Sequence, residues 1–112
     1  MKSENLRDFV HFSPEAVTRT TVFETGRLWS EVVCFDRNQG IGPVKDLDSD
    51  ALFTILAGQA VFQVNGRRSR LEQWGTVLVP AGAEVTVKNA SIDPLVLFVV
   101  AAPAPVARPI TE

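Results

Sequence analysis

The sequence is poor in the residues that most often carry chemistry or cross-link a fold. It has one cysteine, Cys34, so no internal disulfide can form, and a reducing, cytoplasmic compartment is expected. It has one histidine, His11, with no histidine or cysteine cluster for company, which leaves it as a surface or strand-packing residue. Long hydrophobic runs are missing: the longest, Leu95 to Ala102, is eight residues. A membrane-spanning helix needs about 20. The opening stretch MKSENLRDF carries no apolar core, so a signal peptide is not expected. No sign of charge dominates either. Eleven basic against thirteen acidic residues, net −2, argue against a dedicated nucleic-acid or anionic-membrane surface. Helical periodicity is almost absent. Ser13-Pro14-Glu15 is a helix-start signal, but so little pattern follows that one turn is the most it predicts.

Strand signals and turns fill the rest. Val17 to Glu24 is rich in Thr, Val and Phe and reads as a strand, broken at Thr25-Gly26. Leu28 to Phe35 alternates, with Trp29, Glu31, Val33 and Phe35 on one face and Leu28, Ser30, Val32 and Cys34 on the other. Residues 36 to 50 have loop composition but are long for a loop in so small a chain. Such a segment is functional or hides a short strand. Leu52 to Leu56 runs apolar into Gly58, and Ala60 to Val64 alternates up to Asn65-Gly66, the pair favoured in the tightest hairpin turns. Val77 to Val79 leads into the turn Pro80-Ala81-Gly82, then Val85 and Val87 alternate up to Asn89. Leu95 to Ala101 is a fully apolar strand, as expected where both faces are covered. Many short strands with Gly and Pro turns predict one all-β domain, a sandwich or barrel.

The stretch from Gly26 to Pro103 resembles a small single-domain cupin, a jelly-roll β-barrel. Pro80, Gly82 and Asn89 fit the family's second motif, and Phe53 to Gly58 resembles the apolar run that closes its first. The resemblance implies residues 1 to 25 as a segment with a strand that packs on the barrel or on a partner subunit, 26 to 103 as the barrel, and 104 to 112 as an extended or disordered Pro-rich tail. It also implies a homodimer. The family's metal is held by three imidazoles and a carboxylate. Here the two histidines of the first motif fall on Lys45 and Leu47, or on Val44 and Asp46 with a longer spacer. Its glutamate falls on Ala51, and the histidine of the second motif on Val85. Such a set lacks the converging donors a transition metal requires, so neither a metal nor another cofactor is expected. Trp74 occupies the second motif's opening glycine, with Gly75 beside it.

Ala51, Phe53 and Ile55 are expected to point inward, opposite Val85 and Val87. With Leu47, Trp29 and Phe62 they make a mostly apolar lumen, either an ordinary filled core or a ligand pocket. Lys45, if it enters the barrel mouth, anchors a carboxylate or phosphate or, desolvated, acts as a base or amine nucleophile. Otherwise it is a solvated loop lysine. Glu31 is either a buried acid in need of a partner, with Lys45 as candidate, or a surface charge. Asp46, Asp48 and Asp50 have calcium-loop spacing but lack that loop's glycine and its closing glutamate. Arg67, Arg68 and Arg70 read as charges on an exposed edge strand. Cys34 reads as a small core residue, Gly40-x-Gly42 lacks the rest of a phosphate loop, and Trp74 reads as a packing or interface aromatic.

Three functions stay open on the sequence. One is a metal-free module that binds a small organic ligand, neutral or anionic, at Lys45, Leu47, Ala51, Phe53, Val85 and Trp29. The second is a metal-independent isomerase or lyase that uses Lys45 with Glu31 or Asp46. The third is a structural or regulatory homodimer with a filled barrel.

Overall fold

A computed structural model describes residues 1–105. Among the described residues nine strands form two antiparallel sheets: β1 (Thr18–Glu24), β2 (Trp29–Phe35), β3 (Gly40–Lys45), β4 (Asp50–Ala57), β5 (Ala60–Val64), β6 (Arg67–Leu71), β7 (Thr76–Val79), β8 (Glu84–Asn89) and β9 (Leu95–Ala102). One sheet has the order β1-β2-β9-β4-β7 and the other β3-β8-β5-β6. The chain is all-β, a jelly-roll barrel of short antiparallel strands. Among the described residues no helix is long and apolar enough to cross a membrane.

The turns follow from local chemistry. Asn65 and Gly66 both take positive φ, 48° and 82°, as the tight β5–β6 hairpin demands. At Gly58 φ is +87°, and a Cβ there would stand 2.4 Å from the carbonyl oxygen of Pro94, so the close approach of two loops requires glycine. Asn89 is buried and acts as a staple. Its amide donates to the carbonyls of Phe35, Asp36 and Asp93 at 3.3, 3.2 and 2.9 Å and accepts from the Ser91 N–H.

One expectation changes and one open alternative is decided. The helical turn lies at Leu6–Phe9, where the Asn5 side chain caps it, and not after Ser13, whose hydroxyl accepts the Glu15 N–H in a turn that no helix continues. The stretch from 36 to 50 does hide a strand, β3, paired with β8. The Pro-rich tail expected over 104 to 112 lies, from residue 106 onward, outside the described residues.

Every residue of β2 is buried, for two different reasons. Its Val33 and Phe35 join Ile55, Phe62, Val87, Leu95 and Leu97 between the sheets. Its Val32 and Cys34 face outward under Leu6, Phe9 and Val10 of the N-terminal segment. Burial pushes the Cys34 thiol above the usual thiol range, against smaller lowering by the His11 backbone and the Thr18 hydroxyl, so it is a protonated packing group at neutral pH.

Candidate functional site

Inward-facing residues of several strands converge at one end of the barrel. β2 brings Trp29 and Glu31, and β9 brings Val99 and Ala101. β4 brings Ala51 and Phe53, β8 brings Val85, and β3 with its following turn brings Val44, Asp46 and Ser49. They bound two small cavities of about 50 Å³ each that share Val44, Asp46, Ser49, Ala51 and Phe53. By the one-probe-sphere criterion each holds a few waters, far below the 300–1,000 Å³ of ordinary ligand pockets.

The lumen's cation is Arg19. Its Nε donates to both oxygens of Glu31, at 3.0 and 3.1 Å, and its Nη2 forms an ion pair with Glu31 Oε2. The Arg19 guanidinium also lies 5.8 Å from the centroid of the Trp29 ring, within cation–π range. Glu31 is 3% exposed, so the buried-acid alternative holds, with Arg19 and not Lys45 as partner. Sequence alternation alone missed Arg19. The β1–β2 hairpin pairs Glu24 with Trp29, and a bulge between Thr21 and Phe23 then shifts the register so that Arg19 stands opposite Val33. Directly opposed residues share a face, so Arg19 joins Val33 inside. The signal available was the hairpin's own proximity: a buried acid on β2 looks first to the strand before it.

The expected site residues separate. Trp29, Ala51, Phe53 and Val85 line the cavities, as does Asp46. Lys45 does not. It is exposed and stands opposite Glu84 at the end of the β3–β8 pairing. Leu47 is 72% exposed in the following turn and is no lumen wall. The physical reason is alternation: once β3 exists, its inward positions are Ile41 and Val44, which leaves Lys45 outside. Asp46 Oδ1 accepts the N–H groups of Asp48 and Ser49, and Asp50 accepts from Ala81, so the acidic loop is occupied in holding turns. Ser49 is buried and donates to the Pro103 carbonyl at 2.6 Å. Phe62 packs edge-on against Phe53, with ring centroids 5.5 Å apart, and closes the floor.

These residues do not fit a cupin metal. The positions that would supply ligands hold an exposed lysine and an exposed leucine, or Val44 and Asp46 with the longer spacer, together with Ala51 and Val85, so they offer at most one carboxylate. Among the described residues no three His, Cys, Asp or Glu side chains cluster. What the site presents is an Arg–Glu pair, fixed in position, with Asp46 and Ser49 also in a lining that is otherwise apolar. Trp74 is elsewhere, 73% exposed in the turn before β7, with φ at +74° where the motif has glycine.

Solved structures similar to this one in architecture include cupins. An uncharacterised double-stranded β-helix protein from Klebsiella pneumoniae superposes with a TM-score of 0.88 at 19% identity, over 100% of this chain and 99% of its own. An RmlC-like cupin from Desulfovibrio desulfuricans gives 0.79 at 21%, over 92% and 97%. The protein TT1209 of Thermus thermophilus gives 0.85 at 28%, over 92% and 98%. No protein-family model matches the chain, and no curated protein does. The fold is the cupin barrel.

Proposed function

We propose that this chain is a metal-free cupin-fold binding module whose barrel mouth takes a small, neutral polar organic group of a few heavy atoms. The Arg19–Glu31 pair supports this reading above all else. A buried ion pair is commonly no more stabilising than well-packed apolar residues of the same volume. Its presence at the cavity, with Trp29 and Asp46 in the same lining, supports a site at that end of the barrel. An anionic group fits less well than the sequence suggested. The lumen's cation already faces a carboxylate, and Lys45 is outside. The exposure of Lys45 also removes the amine from the isomerase or lyase alternative. The reading includes a homodimer, supported by Leu52 and Leu78, which pair across β4 and β7 and remain 46% and 57% exposed. It also includes a cytoplasmic home, supported by the free thiol of Cys34.

A second reading has an observation of its own. Cavities of about 50 Å³ leave a barrel nearly filled by its side chains, which favours the structural or regulatory homodimer. Amide NMR of the full chain against fragments of about ten heavy atoms or fewer, well below drug size, separates the two. The binding module gives saturable shifts centred on Trp29, Glu31, Ala51 and Val99, lost in an Arg19→Met/Glu31→Leu variant that keeps a native spectrum. Failure of every fragment to shift those amides, with a dimer by native mass spectrometry, establishes the filled barrel instead.

A further inference from the structure

A concavity much larger than the two barrel-mouth cavities stands outside the barrel. It lies on the outer face of the β3-β8-β5-β6 sheet and holds about 510 Å³, the volume of a small-molecule site. Strand register builds it in two rows. Lys88, Val61 and Arg70 lie side by side across β8, β5 and β6, and Thr86, Gln63 and Arg68 form the next row. Arg37, from the turn between β2 and β3, closes one end.

Four cations therefore line one groove of a chain whose net charge is −2, and no carboxylate lines it. None of the four is in an ion pair among the described residues. Arg70 is held in place. Its Nε and Nη2 donate to Gln59 Oε1 at 3.2 and 3.0 Å, and Nη2 also to the Ala90 carbonyl at 3.1 Å. Protection of an edge strand accounts for arginines on β6. It does not account for Lys88 on interior strand β8, nor for Arg37, which comes from a different loop to the same groove.

We propose that this groove is a second binding site, independent of the barrel, for a small phosphate-bearing anion with at least two charges. Three of the four cations are arginines, whose planar fork matches phosphate oxygens. Lys88 and Arg70 flank Val61 two inter-strand spacings apart, about 10 Å between backbones. That geometry suits a diphosphate better than a single carboxylate. The concave shape, with Asn38 and Ile92 rising at one end, favours a compact ligand over a nucleic-acid strand.

The test is an amide-NMR titration of the full chain with sodium pyrophosphate, with sodium chloride matched in ionic strength as the blank. The expected result is saturable shifts at Arg37, Val61, Gln63, Arg68 and Lys88, with the barrel-mouth amides of Glu31 and Val99 unmoved. Arg68→Gln and Lys88→Gln, both solvent-facing changes, are each expected to weaken binding about tenfold, the loss of one charge-assisted contact. Shifts that do not saturate, shifts at the barrel mouth instead, or variants that bind as tightly as the parent overturn the proposal. Tighter binding of single-stranded oligonucleotide than of pyrophosphate at the same ionic strength overturns the ligand class. Because the two sites report on different amides, failure here leaves the barrel reading intact, and the reverse.

Discussion

The two ends of the barrel are built from the same strands and packed by opposite rules. At the closed end, β2, β4, β5, β8 and β9 bring in Phe35, Ile55, Phe62, Val87, Leu95 and Leu97, all at 1% exposure or less and all apolar. At the mouth, β2, β4 and β9 bring in Trp29, Glu31, Ala51 and Ala101, with Arg19, Asp46 and Ser49 from elsewhere. One end removes apolar surface from water, at about 25 cal/mol per Å². The other places a charged pair where a pair of leucines would pack as well. The contrast teaches that apolar burial dominates the closed end, while the mouth combines apolar walls with a charged pair.

The sharpest way to break that contrast is a double-mutant cycle at the mouth. Arg19→Met alone leaves Glu31 buried without its partner and is expected to cost about 3–5 kcal/mol in urea unfolding. Arg19→Met/Glu31→Leu is expected to recover most of that loss, or to exceed the parent. A double variant as unstable as the single one would make the pair a structural requirement and erase the difference between the ends. A smaller effect of opposite sign belongs to the closed end's surroundings. Trp74 holds a left-handed backbone with its ring in solvent, so Trp74→Gly is expected to gain about 1 kcal/mol, read as a higher urea midpoint at unchanged slope. A loss would show that the ring has a packing role. The smallest effect sharpens the boundary of the mouth. Lys45→Ala is expected to change stability by less than about 0.5 kcal/mol and to leave fragment shifts at Trp29 and Val99 unaltered. A lost fragment response would return Lys45 to the site.

Local signals made most of the fold legible. Alternation in Leu28 to Phe35 assigned Val33 and Phe35 to one face and Val32 and Cys34 to the other, and that is how they stand. The stretch from 36 to 50 was harder because β3 is short, holds two glycines and a proline, and is interrupted by a bulge between Ile41 and Val44. Its composition says loop while its hydrogen bonds to β8 say strand. Lys45 stays open on the sequence for that reason, between the barrel mouth and solvent, since motif spacing counts residues but does not fix which side of a strand they fall on; the structure has it exposed. The four-cation groove was illegible because its charges come from Arg37, Arg68, Arg70 and Lys88, which only strand pairing makes neighbours.

The sequence by itself determined the strands other than β3, the tight turns at Asn65-Gly66 and Pro80 to Gly82, most of the apolar lumen walls and the scarcity of metal-ligand side chains at the motif positions, because each depends on residue type and near spacing. Tertiary structure decided which charge enters the barrel. Continued without interruption, the β1–β2 hairpin would set Arg19 opposite Cys34 and point it outward. The bulge between Thr21 and Phe23 moves the pairing by one residue, sets Arg19 opposite Val33, and turns it inward onto Glu31. Side chains alternate with a period of two, so a shift of one residue exchanges inside for outside.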